Sequence, residues 1–370
     1  MFHPSTTWYL SQCTEARGMQ EMWKRVRPAV LKKLKESAIV QSTESSNRIE
    51  GVEVDKKRLI PLVLGTAKPR DRSEEEIAGY RKALSFIHKN FNKLSITPET
   101  IKELHLLAQG GMISDAGEWK KRDNDIIEIL PNGERAIRYI PVSYKHTKKT
   151  IEQLCLGYND VTKNSKIPDL AAIALFILDF LCIHPFRDGN GRVSRLLTLL
   201  LLYQHNFEVG RYVSLEKIIE NTKEDYYRVL FESSQNWHEG KHDTLAWINY
   251  FLSTLKVAYQ DLKERVELSK DGDSLSSLLS QTIRSFQVSF SVCTEVALNS
   301  FSNLKIPELE QKLDLDSLST PCDPFIKPKV VIENEAKIIS PAINDQSRGQ
   351  IKNKVELPIE SNGEAKVVPK

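Results

Sequence analysis

Twelve consecutive residues, His184 to Arg195, read HPFRDGNGRVSR and concentrate polar chemistry between two apolar runs. Glycines at 189 and 191 reach backbone angles closed to other residues, so the turn they flank can point successive N–H groups inward as a nest for anionic oxygens. A helix beginning near Arg192 would aim its positive end at the same point. Arg192 and Arg195, three apart, would project from one side of that helix's first turn as fork-shaped donors suited to phosphate. Asp188 is an oxygen ligand of the kind magnesium takes, usually together with phosphates. His184, close to neutral at pH 7, could take a proton from an attacking hydroxyl. These are the parts of a phosphoryl- or nucleotidyl-transfer site.

Position for position, HPFRDGNGRVSR resembles the Fic motif, His-x-Phe-x-Asp/Glu-Gly-Asn-Gly-Arg-x-x-Arg. The resemblance implies a mainly α-helical Fic-fold bundle with a small β-hairpin flap over the active site. It also implies transfer of AMP from ATP to a Ser, Thr or Tyr hydroxyl of a protein, with pyrophosphate leaving. In that reading His184 is the base, Phe186 anchors the loop in the core and Asp188 holds Mg²⁺. Gly189, Asn190, Gly191, Arg192, Val193, Ser194 and Arg195 surround the nucleotide with His184, the two arginines clamping its β and γ phosphates. Asn221 and Tyr226 or Tyr227 are placed by the same resemblance near the base and ribose.

A second stretch, QSTESSNRIEGVEV, sets Ser46 and Glu50 four apart on one helix face, with Gly51 where a helix would stop. Beside a Fic motif, Ser46-x-x-x-Glu50-Gly51 resembles the family's inhibitory motif, Ser/Thr-x-x-x-Glu-Gly/Asn, in its N-terminal arrangement. The resemblance implies that Glu50 occupies part of the nucleotide site and pairs with Arg195, the arginine the γ-phosphate needs, so that ATP is excluded or misaligned.

The elements that must position these residues are read from periodicity. Apolar residues at helical spacing predict a helix from Trp23 to about Val40, another over Asp71 to Leu94, and one opening at Thr97 with Pro98 and Glu99 in its first turn. His105 reads there as a packed helix residue. Ile126 to Leu130 and Ala136 to Ile140, parted by Pro131-Asn132-Gly133, predict a hairpin, and Gly117, Trp119 and Lys120 resemble the stretch leading into a Fic flap. A target protein would dock on this 126–140 flap by strand pairing. Helices follow at Thr150 to Asn159, at Leu170 to Ile183 and at Val193 to Gln204, then one over SLEKIIENTKEDYYRVLFESS, with the aromatics of Trp237 and of Trp247 to Tyr259 as core.

The chain has 370 residues, 40% hydrophobic and 27% charged, with a formal net charge of +3, too slight to argue for nucleic acid or an acidic membrane surface. Its five cysteines show no paired spacing and read as reduced thiols, Cys182 buried. The opening MFHPSTTWYLSQCTEARG lacks the basic-then-apolar run of a signal peptide, so the expected place is the cytoplasm, with export as an effector left open. The longest apolar run, Leu170 to Ile183, is interrupted by Asp179 and too short for a bilayer.

Four regions result: 1–60, helical with the inhibitory motif; 61–267, catalytic; 268–320, uncertain, resembling the start of a degenerate winged helix; and 321–370, a disordered tail. Self-modification and a homodimer stay open. Two alternatives stand beside adenylyltransfer: the same site used to remove AMP or to transfer another nucleotide or phosphate, and a DNA-binding regulator with a Fic sensor domain.

Overall fold

The chain folds as a helical bundle carrying one hairpin, and the computed structural model describes residues 3–111, 113–129 and 134–268. In chain order the first helices are α1 (Pro4–Val26), α2 (Pro28–Ile49), α3 (Lys56–Leu64), α4 (Arg72–Asn90) and α5 (Pro98–Gln109). The antiparallel strands β1 (Ile126–Ile129) and β2 (Arg135–Tyr139) come next. Then follow α6 (Tyr144–Lys163), α7 (Asp169–Ile183), α8 (Asn190–Gln204), α9 (Leu215–Asn221), α10 (Lys223–Ser234) and α11 (Leu245–Leu268). The expectations for the region beyond 268, for Cys293 and Cys322, and for the turn Pro131-Asn132-Gly133 lie outside the described residues.

The centre of the bundle is the pair α7 and α8, α7 apolar on nearly all sides and α8 apolar from Leu196 to Leu202 save Thr198, and both are buried by the helices around them. Asp179, the one charge within the Leu170–Ile183 run, accepts a 2.7 Å hydrogen bond from the Trp237 indole, which satisfies it in place. Cys13, Trp23 and Leu31 from the N-terminal helices join the same core as Leu262 and Val266 of α11. Cys13, Cys155 and Cys182 are buried free thiols, each pushed up to about 12 by burial. No helix of the described residues is long and apolar enough to cross a membrane.

Helix ends follow local rules where a local cap exists. Asp71 accepts from the Glu74 amide at 2.9 Å and Thr97 from the Thr100 amide at 3.3 Å, opening α4 and α5 where the sequence predicts them. Helix α3 and most of α1 fall outside the expected helices, and several boundaries differ from expectation. The helix expected over 23–40 is two helices meeting at Arg27, because Pro28 has no N–H to continue the first and instead suits position N1 of the second. The stretch 215–234 breaks at Thr222, whose hydroxyl bonds the Ile218 carbonyl and the Tyr250 hydroxyl at 2.9 and 2.8 Å. Helix α6 starts at Tyr144, six residues early, because Asp123 from a distant segment accepts the Tyr144 amide at 2.7 Å.

Three histidines are held without charge, His88 and His105 buried and His184 half-buried. Burial and the nearby Arg211 guanidinium hold His88 at about 3, and burial holds His105 at about 4 and, with the Lys120 ammonium, His184 at about 4. In the unfolded chain each takes a proton at about 6.5. The folded state refuses that proton, so stability present above about pH 6.5 is lost as pH falls towards 4, by about 2 kcal/mol per histidine at pH 5. Urea unfolding should therefore give a free energy several kcal/mol lower at pH 5 than at pH 7. A pH-independent value would contradict the neutral burial of these rings.

Candidate active site

Helix α7 ends at His184, which takes the left-handed conformation (φ 49, ψ 62) while its amide still bonds the Phe180 carbonyl at 3.0 Å. That conformation turns the chain sharply and frees the imidazole from the helix. Phe186 is fully buried and stacks on His105 at 3.7 Å with an interplanar angle of 10°. The Asn190 side chain closes the loop, accepting from the Phe186 amide at 2.9 Å and donating to the Phe186 carbonyl at 2.8 Å. His105 accepts at Nδ1 from the Gly117 amide at 2.9 Å, which leaves the proton on Nε2, 3.1 Å from the Asp188 carbonyl. Gly189 then opens α8 with φ 79, and a Cβ there would collide with the Gln109 amide.

The two arginines diverge rather than sharing a direction. Arg195 donates from Nε to the Ser46 hydroxyl, and from Nη2 to the Ser46 carbonyl and to Glu50 Oε1, all at 2.8 Å. Glu50, just past the end of α2, lays its carboxylate over Gly191, so closely that a Cβ on that glycine would strike it. Gly51 follows with φ 77, ending the helix. Arg192 turns towards α4 and α5, where Glu76 Oε2 stands 2.8 Å from Nη1 and Gln109 Oε1 accepts from Nη2 at 3.3 Å. Residues three apart start about 60° apart around a helix, and each long side chain follows its own counter-charge.

Residues 95–202 match the model of the Fic/DOC family. The chain carries a Fic domain. The match covers α5 to most of α8, so it contains the motif and the hairpin but not α2 or α4. A Fido domain-containing protein of Dictyostelium discoideum is 28% identical over 126 residues, 33% of this chain and 83% of that protein. Protein adenylyltransferase Fic of Drosophila grimshawi is 31% identical over 135 residues, 36% of this chain and only 26% of the fly protein. Among solved structures, a Fic family protein from Desulfovibrio desulfuricans G20 aligns with a TM-score of 0.59 at 18% identity, covering 74% of this chain and 77% of that one. Fic-1 of C. elegans aligns at 0.57 and 18% identity, covering 72% and 74%. These likenesses at low identity establish the shared helical fold.

Within the Fic domain, Asp188 is half-exposed; its Oδ2 accepts from Arg72 at 2.8 Å and its Oδ1 from the Gly189 amide at 2.7 Å. The imidazole of His184, at about 4, is uncharged at neutral pH. Val193 is core, and the Ser194 hydroxyl donates back to the Gly191 carbonyl at 2.8 Å, so its side chain is spent on the turn itself. Asn221 is exposed at the end of α9. Tyr226 is buried against Trp247 and Tyr250, while Tyr227 is partly open, with its ring 5.1 Å from that of Tyr226.

Glu76, Gln109, Arg72 and Asn124 are absent from the sequence reading of the site. Glu76 left a signal: it shares the helical face of Tyr80, Ala83, Leu84 and Ile87, which are all buried, and a carboxylate on a core stripe demands a partner. It receives two, Arg192 and the Arg72 Nε, the latter at 2.8 Å on Oε1. Replacing it should leave Arg192 as a buried charge without its carboxylate. Glu76→Gln is expected to cost about 3 kcal/mol or more in urea unfolding; a loss under about 0.5 kcal/mol, the size of a surface change, would show the pair to be dispensable.

Proposed function

We propose that this protein is a protein adenylyltransferase, moving AMP from ATP to a Ser, Thr or Tyr hydroxyl of another protein, and that Glu50 inhibits it. One observation carries the reading: a carboxylate from another helix lies on Gly191 and Arg195 at the N-terminal end of α8, beside an uncharged histidine. Such a place is built for an anion. Arg195 Nη1 is buried, faces Gly191 and makes no hydrogen bond among the described residues, as a donor reserved for phosphate oxygen would be.

In this reading the target hydroxyl loses its proton to His184 as its oxygen attacks the α-phosphorus in line. A new P–O bond forms, the bond to the bridging oxygen breaks, and pyrophosphate leaves with its charge met by Arg195, Arg192 and the amides of the 189–191 turn. A neutral imidazole is the form that can accept that proton. Among the described residues no cluster of three or more metal-binding side chains stands together, so Mg²⁺ would be held by Asp188 with phosphate oxygens and water completing its shell. The Asp188 carboxylate already attracts a cation, Arg72, which supports that fit. Bound there, Mg²⁺ offsets charge on the departing pyrophosphate.

The target would pair with the hairpin. Ile127 and Ile137 are opposite one another in the register and both are exposed, an apolar patch that an extended segment could cover while adding a strand.

Transfer of label from α-³²P-ATP with Mg²⁺ tests the reading on the protein itself and on a lysate. Glu50→Gly should raise incorporation by about tenfold or more, since the competing carboxylate is gone. Glu50→Gly/His184→Ala should abolish it. Label no higher in Glu50→Gly than in the parent would sink the inhibitory role of Glu50. No label in any variant that still binds nucleotide would turn the reading towards AMP removal or another nucleotide.

A further inference from the structure

Three carbonyl groups of the loop around His184 are held from one side by a single stretch of chain. The Lys120 amide donates to the Pro185 carbonyl at 2.9 Å, and the Lys120 ammonium to the Ile183 carbonyl at 3.4 Å. The Asn124 side-chain amide donates to the Phe186 carbonyl at 3.0 Å. Earlier in the same stretch, Gly117 bonds His105, which stacks on Phe186, and the Trp119 ring lies 5.0 Å from the Phe186 ring. Residues 117–124 thus lie along residues 183–186, outside the two helices that the loop joins.

The placement bears on one residue above all. A non-glycine residue keeps a left-handed conformation only where its surroundings over-determine it. Lys120 alone holds the carbonyl just before His184 and the carbonyl just after it. Its own side chain is buried, an expensive place for an ammonium unless it is used. The charged groups facing the imidazole are Lys120 from this stretch, Glu50 from the end of α2 and Asp188 from its own loop; of these, Lys120 alone opposes protonation.

We infer that Lys120, with Asn124, is a positioning residue of the transfer site: residues 117–124 splint the His184 loop, holding the imidazole in its left-handed turn beside the Lys120 ammonium. The inference rests on His184 being the base, but the decisive readout is independent of any transfer.

The full-length parent, Lys120→Met, Lys120→Arg and Asn124→Ala are titrated by NMR with ring-labelled histidine, the His184 signal being assigned by its loss in His184→Ala, and amide exchange is followed over residues 117–124 and 183–186. In Lys120→Met the His184 midpoint should rise measurably above that of the parent while burial, the larger cause, still keeps it below about 6.5. Lys120→Arg, which keeps the charge, should hold it low. Asn124→Ala should speed exchange of the Lys120 amide. In a Glu50→Gly background, Lys120→Met should lower kcat by about tenfold or more with KM for ATP within about twofold. Should Lys120→Met fail to fold, Asn124→Ala is read alone by exchange and kcat. Folded variants with an unmoved His184 midpoint and unchanged exchange overturn the splint. A moved midpoint without label in Glu50→Gly supports the splint and faults the transfer reading instead.

Discussion

Two guanidinium groups are buried at the N-terminal end of α8, where the helix dipole is already positive. Positive charge is unfavourable there, and burial removes the water that would otherwise offset it. The arrangement survives only because other helices deliver carboxylates to the same point, Glu76 from α4 to Arg192 and Glu50 from the end of α2 to Arg195. The two anions are not equivalent. Glu76 is 3% exposed, set in a helix interior and shared with Arg72; Glu50 is 29% exposed, sits at a helix terminus and is followed by a glycine at positive φ. One is built into the wall. The other stands where an incoming anion could replace it.

The helix that presents Glu50 is itself anchored by buried polar groups. Glu216 of α9 accepts from the Tyr80 hydroxyl at 2.9 Å and the Ser42 hydroxyl at 2.7 Å. Glu220 accepts from the Ser45 hydroxyl at 2.8 Å and pairs with Arg48 at 2.8 Å. A buried carboxylate is stable only when such partners are complete, so α2, α4 and α9 are bound to one geometry. Change at Glu50 is least costly in its own side chain and in the turn at Gly51, beyond the last of these anchors.

The other half of the site is a loop whose backbone is nearly all spoken for. Asn190, Lys120, Asn124 and His105 together engage the carbonyls of Ile183, Pro185, Phe186 and Asp188. A left-handed histidine, a stacked phenylalanine and a glycine cap follow one another without slack. Rigidity of this kind holds the His184 imidazole and the 189–191 turn at a set distance, the condition that the proposed in-line transfer would need.

Much of this was legible in the sequence, and the reason is locality. The composition of 184–195, the spacing of Ser46 and Glu50, the caps at Asp71 and Thr97 and the alternation around the hairpin are properties of near neighbours, set by φ/ψ preferences and by periodicity. Even the break at Pro28, missed as a boundary, was written locally. What only the tertiary structure decided is which charges meet: Glu76 and Gln109 with Arg192, Arg72 with Asp188, Asp123 with the start of α6, Lys120 and Asn124 with the carbonyls around His184. These pairings join residues far apart in the chain. They are chosen by the cost of burying a charge or a carbonyl without a partner, and that cost exists only once the helices have closed around it.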